Sequence, residues 1–140
     1  MEYIGVDSVE PSWKSMDQFV INEVHNVFAL DALSSSHQIS VKVENPDEIN
    51  DIFDRISYGK GATIIRMMDH FLTSKVFTGG LTNYLRDRAM QAAEQDDLWQ
   101  TLTDEARNSG IFDSTQSVKE IMDTWTLQTG KLKTSCDTII

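Results

Sequence analysis

The chain has 140 residues, of which 40% are apolar and 9% aromatic, and 22 acidic against 12 basic residues give a formal net charge of −10. This apolar content excludes a disordered chain, and the acidic surplus argues against binding to nucleic acid or to an anionic membrane. No run approaches the ~20 apolar residues of a membrane-spanning segment, and the start lacks the basic-then-apolar order of a secretory signal.

Helical periodicity runs through most of the sequence. Apolar residues recur every three or four positions over residues 11–33, 49–56 and 64–72, and they predict further helices near residues 77–89, 97–107 and 115–129. Asn45 followed by Pro46 predicts the start of a helix that buries Ile49, Phe53 and Ile56. Gly59 and Gly61 predict a break before the next helix. Only residues 40–44 alternate like a strand, and they are too few to build a sheet, so the predicted fold class is all-α.

The histidines do not form a metal-binding pattern. His25, His37 and His70 are isolated, since none has a second histidine three to five positions away. Asp51 and Asp54 belong to an acidic run that lacks the glycine turn of a calcium loop, and a solvated helix face explains that run. The sequence therefore predicts no metal ligands in this chain.

Tyr58 is the one candidate for chemistry that the residue pattern leaves open. It follows an apolar helix directly and lies between Ser57 and Gly59, with Lys60 close by. A phenol at such a junction can donate a hydrogen bond to a developing oxyanion. The alternative is a tyrosine packed in the core with one partner for its hydroxyl, and the pattern alone favours that alternative.

The segment around Tyr58 also resembles a known family. Residues 53–62, Phe-Asp-Arg-Ile-Ser-Tyr-Gly-Lys-Gly-Ala, are similar to the segment around the catalytic tyrosine of zinc aminopeptidases related to aminopeptidase N. Other motifs match in the same order, and they include Glu2-Tyr3-Ile4-Gly5, Glu10-Pro11-Ser12-Trp13, Asp31-Ala32-Leu33-Ser34-Ser35-Ser36-His37, Asp97-Leu98-Trp99 and Trp125-Thr126-Leu127-Gln128-Thr129-Gly130. The resemblance covers residues 1–130, whereas residues 131–140 show no family pattern.

The resemblance implies a fold and an activity. Residues 1–130 are expected to be the multi-helical half of a thermolysin-like metallopeptidase catalytic domain, and residues 131–140 a tail outside the family sequence. The implied enzyme is a zinc-dependent aminopeptidase, a hydrolase that removes N-terminal residues from peptide substrates. Tyr58 is then the catalytic tyrosine that helps to stabilise the tetrahedral oxyanion, and Phe53 lines the substrate-binding pocket for the first side chain. His37 falls in a motif that looks structural, with Gln38 where the family usually has proline.

The zinc site of that family has no counterpart in this sequence. The family binds zinc through a helical His-Glu-x-x-His motif and a more distant Glu, and the resemblance puts these ligands upstream of Met1. The chain is therefore expected to be a fragment that binds no zinc and is inactive alone. The resemblance is compatible with a longer enzyme that is a homodimer anchored in the membrane at the cell surface. An alternative function is a non-catalytic, all-α binding or regulatory module derived from an aminopeptidase.

Overall fold

Every regular element that the computed structural model describes is helical, and the described residues are 2–130. The helices are α1 (Glu2–Val9), α2 (Ser15–Phe19), α3 (Asn26–Asp31), α4 (Gly61–Leu72), α5 (Ser74–Asp87), α6 (Gln95–Asn108) and α7 (Val118–Thr126). The all-α prediction is confirmed, and residues 40–44 do not form a strand. The expected tail at residues 131–140, with Cys136, lies outside the described residues. Within the described range, no helix is long and apolar enough to cross a membrane.

The chain divides into two compact units. Among the described residues, the first comprises residues 2–63 with 128–130, and the second comprises residues 64–127. The first unit therefore holds α1 to α3 and the start of α4, and it contains both residues that the sequence singled out. The second unit holds the rest of α4 and helices α5 to α7.

The helix predicted over residues 11–33 exists in pieces. A 3₁₀ turn at Pro11–Trp13 ends at Lys14, whose left-handed backbone (φ 50°) separates it from α2. From Ser15 the chain is helical to Asp31, because a π-helical turn at Val20–His25 joins α2 to α3. This long helical stretch buries Phe19 and Val27 in the first unit.

The segment after Asn45 differs from the predicted α-helix. Asn45 does cap it, since its side-chain oxygen accepts a hydrogen bond from the Asp47 N–H at 3.1 Å. Residues Pro46–Ile52, however, form a 3₁₀ helix, and three residues per turn do not keep a 3.6-residue stripe on one face. The prediction that Ile49 and Phe53 are buried is therefore wrong, whereas Ile56 is buried as expected.

The predicted break at the two glycines is also wrong. A π-helical turn, Ile56–Lys60, runs directly into α4, so Gly59 and Gly61 lie within continuous helical structure. Gly59 instead allows close packing: a Cβ at this position would lie 3.1 Å from Cγ2 of Val27. The missing side chain thus lets the π-helical turn approach the buried side of the helical stretch that ends at Asp31.

The second unit has a conventional helical core. Helix α5 packs closely on α6 at Gly80, where an added Cβ would lie 2.7 Å from a methyl carbon of Leu102. The first turn of α7 is tied to α6 because the Val118 N–H donates to the Thr103 hydroxyl at 3.0 Å. The periodicity of the sequence therefore predicts these helices, with their ends displaced by a few residues.

Candidate active-site surface

A shallow depression on the first unit brings together the two residues that the sequence singled out. The depression has a volume of about 250 Å³ and is lined by Ile39, Ile52, Phe53, Ser57 and Tyr58. The ring centroids of Phe53 and Tyr58 lie 6.2 Å apart, and the two rings are tilted by 39°. Both residues are 63% exposed. Tyr58 is therefore not a packed core tyrosine, and the alternative that the residue pattern favoured is wrong.

The Tyr58 hydroxyl makes no hydrogen bond to any residue within the described range. Its backbone, by contrast, is held firmly. The Tyr58 N–H donates to the Asp54 carbonyl oxygen at 3.2 Å, and the preceding N–H, that of Ser57, donates to the Asp54 carboxylate at 2.9 Å. Asp54 thus caps the π-helical turn and holds the backbone at Tyr58, while the phenol hydroxyl remains an uncommitted donor.

Burial follows helical spacing along this turn, and this pattern explains why Tyr58 faces outward. Ile56, Gly59 and Lys60 are buried, whereas Tyr58 is exposed. The inward residues follow helical spacing of three and four positions, and Tyr58, which lies between them, faces solvent. Tyr58 is exposed because its neighbours on the turn are fixed inward.

A buried ion pair fixes the end of the turn. The Lys60 side chain is 0% exposed, its Nζ lies 3.0 Å from Oδ2 of Asp31, and it donates to the Gln128 carbonyl oxygen at 3.1 Å. The other oxygen of Asp31 accepts from the Ser36 hydroxyl at 2.6 Å. Burial alone would raise the pKa of Asp31, but the hydrogen bond from Ser36, the ammonium of Lys60 and the backbone N–H of Gly130 hold it below its usual range.

A second charged pair lies beside the depression. Nε2 of His37 lies 2.9 Å from Oδ2 of Asp54, and Nδ1 of the same ring lies 2.7 Å from the carbonyl oxygen of Gln38. The Gln38 carbonyl and the Asp54 carboxylate raise the pKa of His37, against burial and the charge of Lys60. Burial by itself would raise the pKa of Asp54, but the hydrogen bonds from the Ser57 N–H and from His37 lower it. Asp54 is therefore the shared acceptor of the cap and of His37.

The start of the turn is anchored by Arg55. Its Nη2 lies 3.2 Å from Oε2 of Glu23 and donates to the Asn22 carbonyl oxygen at 2.8 Å. The second oxygen of Glu23 accepts from the Tyr3 hydroxyl at 3.3 Å. Polar contacts therefore hold the turn from both ends, while its outer face stays open.

The described residues do not fit a zinc ion. No group of three or more His, Cys, Asp or Glu side chains that could hold a metal occurs within residues 2–130. Of the three histidines, His37 is engaged with Asp54 and is not a free ligand.

Sequence reasoning missed the residues that support Tyr58. The sequence gives Lys60 no partner and predicts that Asp54 lies on a solvated helix face, but both residues hold the turn. The spacing of three residues from Asp54 to Ser57 is a local sequence signal for capping by Asp54. The pairing of Lys60 with Asp31 has no local signal, because the two residues are far apart in the chain.

Comparison with known proteins supplies the family. Residues 1–125 match the peptidase family M1 domain. The chain is similar to aminopeptidase N of Oryctolagus cuniculus (42% identical over 133 residues, 93% of this chain) and to aminopeptidase N of Canis lupus familiaris (41% over 141 residues, 99%). It is 40% identical over 129 residues, 92% of its length, to glutamyl aminopeptidase of Bitis rhinoceros. The chain spans only 13–14% of the length of these relatives.

Breaking the buried ion pair is expected to destabilise the first unit strongly. Lys60→Met or Asp31→Asn should each lower the free energy of unfolding by about 3–5 kcal/mol, because each leaves one polar partner buried without its counter-charge. Urea unfolding of the full chain, followed by circular dichroism, measures this loss. Lys42→Met is the matched control, since the exposed pair of Lys42 with Glu44 should contribute less than about 1 kcal/mol. Equal losses for Lys60→Met and Lys42→Met would contradict the role of the buried pair.

Proposed function

The chain belongs to peptidase family M1, and from this premise we propose that its residues 1–130 form the helical, oxyanion-facing part of an aminopeptidase catalytic domain. The proposed reaction is the hydrolysis of N-terminal residues from peptides by a longer enzyme, because the chain spans only 14% of the length of the aminopeptidase N relatives. The chain alone is proposed to be inactive.

The observation that carries this proposal is the exposed Tyr58 hydroxyl on a firmly held turn. A donor that stabilises an oxyanion must be fixed before the reaction and free to receive the new charge. The hydroxyl has no hydrogen-bond partner among the described residues, and the Asp54 cap and the buried Lys60 hold its backbone. These contacts support a role for Tyr58 as the donor to the oxygen of the tetrahedral intermediate.

Phe53 is proposed to bind the side chain of the first substrate residue. Its exposed ring forms an apolar wall of the depression next to Tyr58. A substrate whose reacting carbonyl oxygen lies at the Tyr58 hydroxyl would carry its nearest side chain within reach of this wall. Desolvation of that side chain against Phe53 and Ile52 provides binding without any polar partner.

Zinc dependence is proposed because of the family resemblance. Residues 2–130 offer no suitable set of ligands, so the metal and its ligands would be supplied by another part of a longer enzyme. The share of the reaction assigned to this chain is to orient the substrate and to donate one hydrogen bond to the oxyanion.

The role of Tyr58 is tested in a chimera in which residues 1–130 replace the matching stretch of aminopeptidase N from Oryctolagus cuniculus. Tyr58→Phe should lower kcat for an aminoacyl amide by about 10²–10³-fold with little change in KM, because the lost hydrogen bond forms in the transition state. Steady-state kinetics give both constants. Tyr84→Phe, on α5, is the control, and its kcat should stay within about twofold of the parent chimera.

Two outcomes would contradict this proposal. A Tyr58→Phe chimera with the kcat of its parent would remove the catalytic role of the hydroxyl, and an inactive parent chimera would show that the segment does not serve an M1 enzyme. Turnover by the isolated 140-residue chain with added zinc, abolished by Tyr58→Phe, would contradict the proposed inactivity of the chain alone.

The role of Phe53 predicts a change in substrate preference. In the chimera, Phe53→Ala should lower kcat/KM for a leucyl or phenylalanyl amide by at least about 10-fold, because an apolar contact is lost. The alanyl amide has a smaller side chain that contacts Phe53 less, so its kcat/KM should change by less than about threefold. Ile49→Ala, exposed nearby but outside the depression, is the matched control. Equal losses for large and small substrates would contradict a pocket role for Phe53.

A further inference from the structure

The ring of His37 is bonded on both of its nitrogens to oxygen acceptors. Nδ1 faces the Gln38 carbonyl oxygen at 2.7 Å, and Nε2 faces the Asp54 carboxylate at 2.9 Å. A carbonyl and an ionised carboxylate only accept hydrogen bonds, so the ring must donate at both positions. Only the imidazolium form carries two N–H groups.

The bond from Nε2 to Asp54 joins the two sides of the depression, whereas the bond from Nδ1 to Gln38 orients the ring within its own segment. Through Asp54, His37 contacts the cap that holds the backbone of Ser57, next to Tyr58. On the other side, the chain that carries His37 continues within two residues to Ile39, which lines the same depression. The contact between His37 and Asp54 therefore links the Ile39 wall to the Tyr58 wall.

Resting on the proposed role of Tyr58, we infer that His37 is a positioning residue whose imidazolium form ties the Ile39 wall to Asp54 and so fixes the placement of Tyr58. When the ring loses a proton, one of its nitrogens becomes an acceptor that faces another acceptor. Either the bond to Asp54 opens, or that bond persists without the positive charge of the ring while the bond to Gln38 opens. In both cases the link between the two walls becomes weaker. The active-site surface is thus held in its described form by a protonated histidine.

The charges around His37 set the direction of this change. The charged groups that act on the ring are the carboxylate of Asp54, which favours the imidazolium, and the ammonium of Lys60, which opposes it. The pKa of His37 is raised, with the Gln38 carbonyl as the largest cause. The stabilisation from these bonds is therefore complete below the ordinary histidine pKa, roughly 6.5, and is lost as the pH rises through the raised value.

The test is an NMR titration of the full 140-residue chain with ¹³C in the tyrosine and histidine rings, from roughly pH 5 to 9. The three tyrosines and three histidines can each be assigned by single variants. The Tyr58 ring shifts should change with the same midpoint as the His37 ring. That midpoint should lie above the ordinary histidine pKa of roughly 6.5, whereas the Tyr84 ring should not follow it.

Variants distinguish a positioning role of His37 from a direct effect of its nearby charge on the Tyr58 ring shifts. His37→Gln should remove the Tyr58 transition and leave Tyr58 at its high-pH shift, whereas His37→Arg, which keeps a charged donor, should hold the low-pH shift throughout. Asp54→Asn keeps a titrating His37 but breaks the link, so Tyr58 should stop following the histidine. His25→Gln is the matched control and should leave the Tyr58 transition intact. The methyl resonances of buried Val27 report whether each variant is folded.

Two results would overturn the inference: a Tyr58 ring in the wild-type chain that does not follow His37, or one that still follows it in Asp54→Asn. The titration involves no turnover, so its failure is distinct from the failure of the proposed catalytic role. Tyr58→Phe with full kcat would remove that catalytic role while the link between His37 and Tyr58 remained.

Discussion

The buried ion pair between Lys60 and Asp31 is the constraint on which the arrangement around Tyr58 depends. A fully buried ammonium is stable only where its charge is met, and here a carboxylate, a carbonyl oxygen and the hydroxyl of Ser36 complete the network. The pair fixes Lys60 inward, and the absence of a side chain at Gly59 lets the turn close on Val27. With these neighbours fixed, Tyr58 faces solvent.

The two charged pairs near the depression differ in exposure, and the difference matches their roles. The side chains of Lys60 and Asp31 are 0% and 5% exposed, whereas those of His37 and Asp54 are 30% and 37% exposed. Separating two charges that have no access to water costs a large free energy. The first pair is therefore suited to stabilising the fold. The second pair is accessible to solvent, so His37 can gain or lose a proton there, and this pair is suited to adjusting the surface that the first pair supports.

The sequence predicts the helices well where packing follows one period, as in α4 to α7. It fails between residues 46 and 60, where a 3₁₀ helix and a π-helical turn replace the expected α-helix and break. In that region a 3.6-residue period places Phe53 in the core, but its ring is exposed on the depression. The ion pairs of Lys60 and His37 join residues that are distant in sequence, so no local sequence pattern predicts them. Tyr58 and Phe53 are found from the resemblance, and their exposure and proximity are found only in three dimensions.

Tyr58 is proposed to donate a hydrogen bond to the oxyanion of the substrate. A crystal structure of the chimera with aminopeptidase N, bound to a transition-state analogue whose oxygen mimics that oxyanion, tests this most directly. The Tyr58 hydroxyl should lie about 2.7–3.1 Å from that oxygen, with the side chain of the analogue against Phe53. A Tyr58 hydroxyl that faces solvent in that complex, with another group donating to the oxygen, would contradict the proposed role of Tyr58.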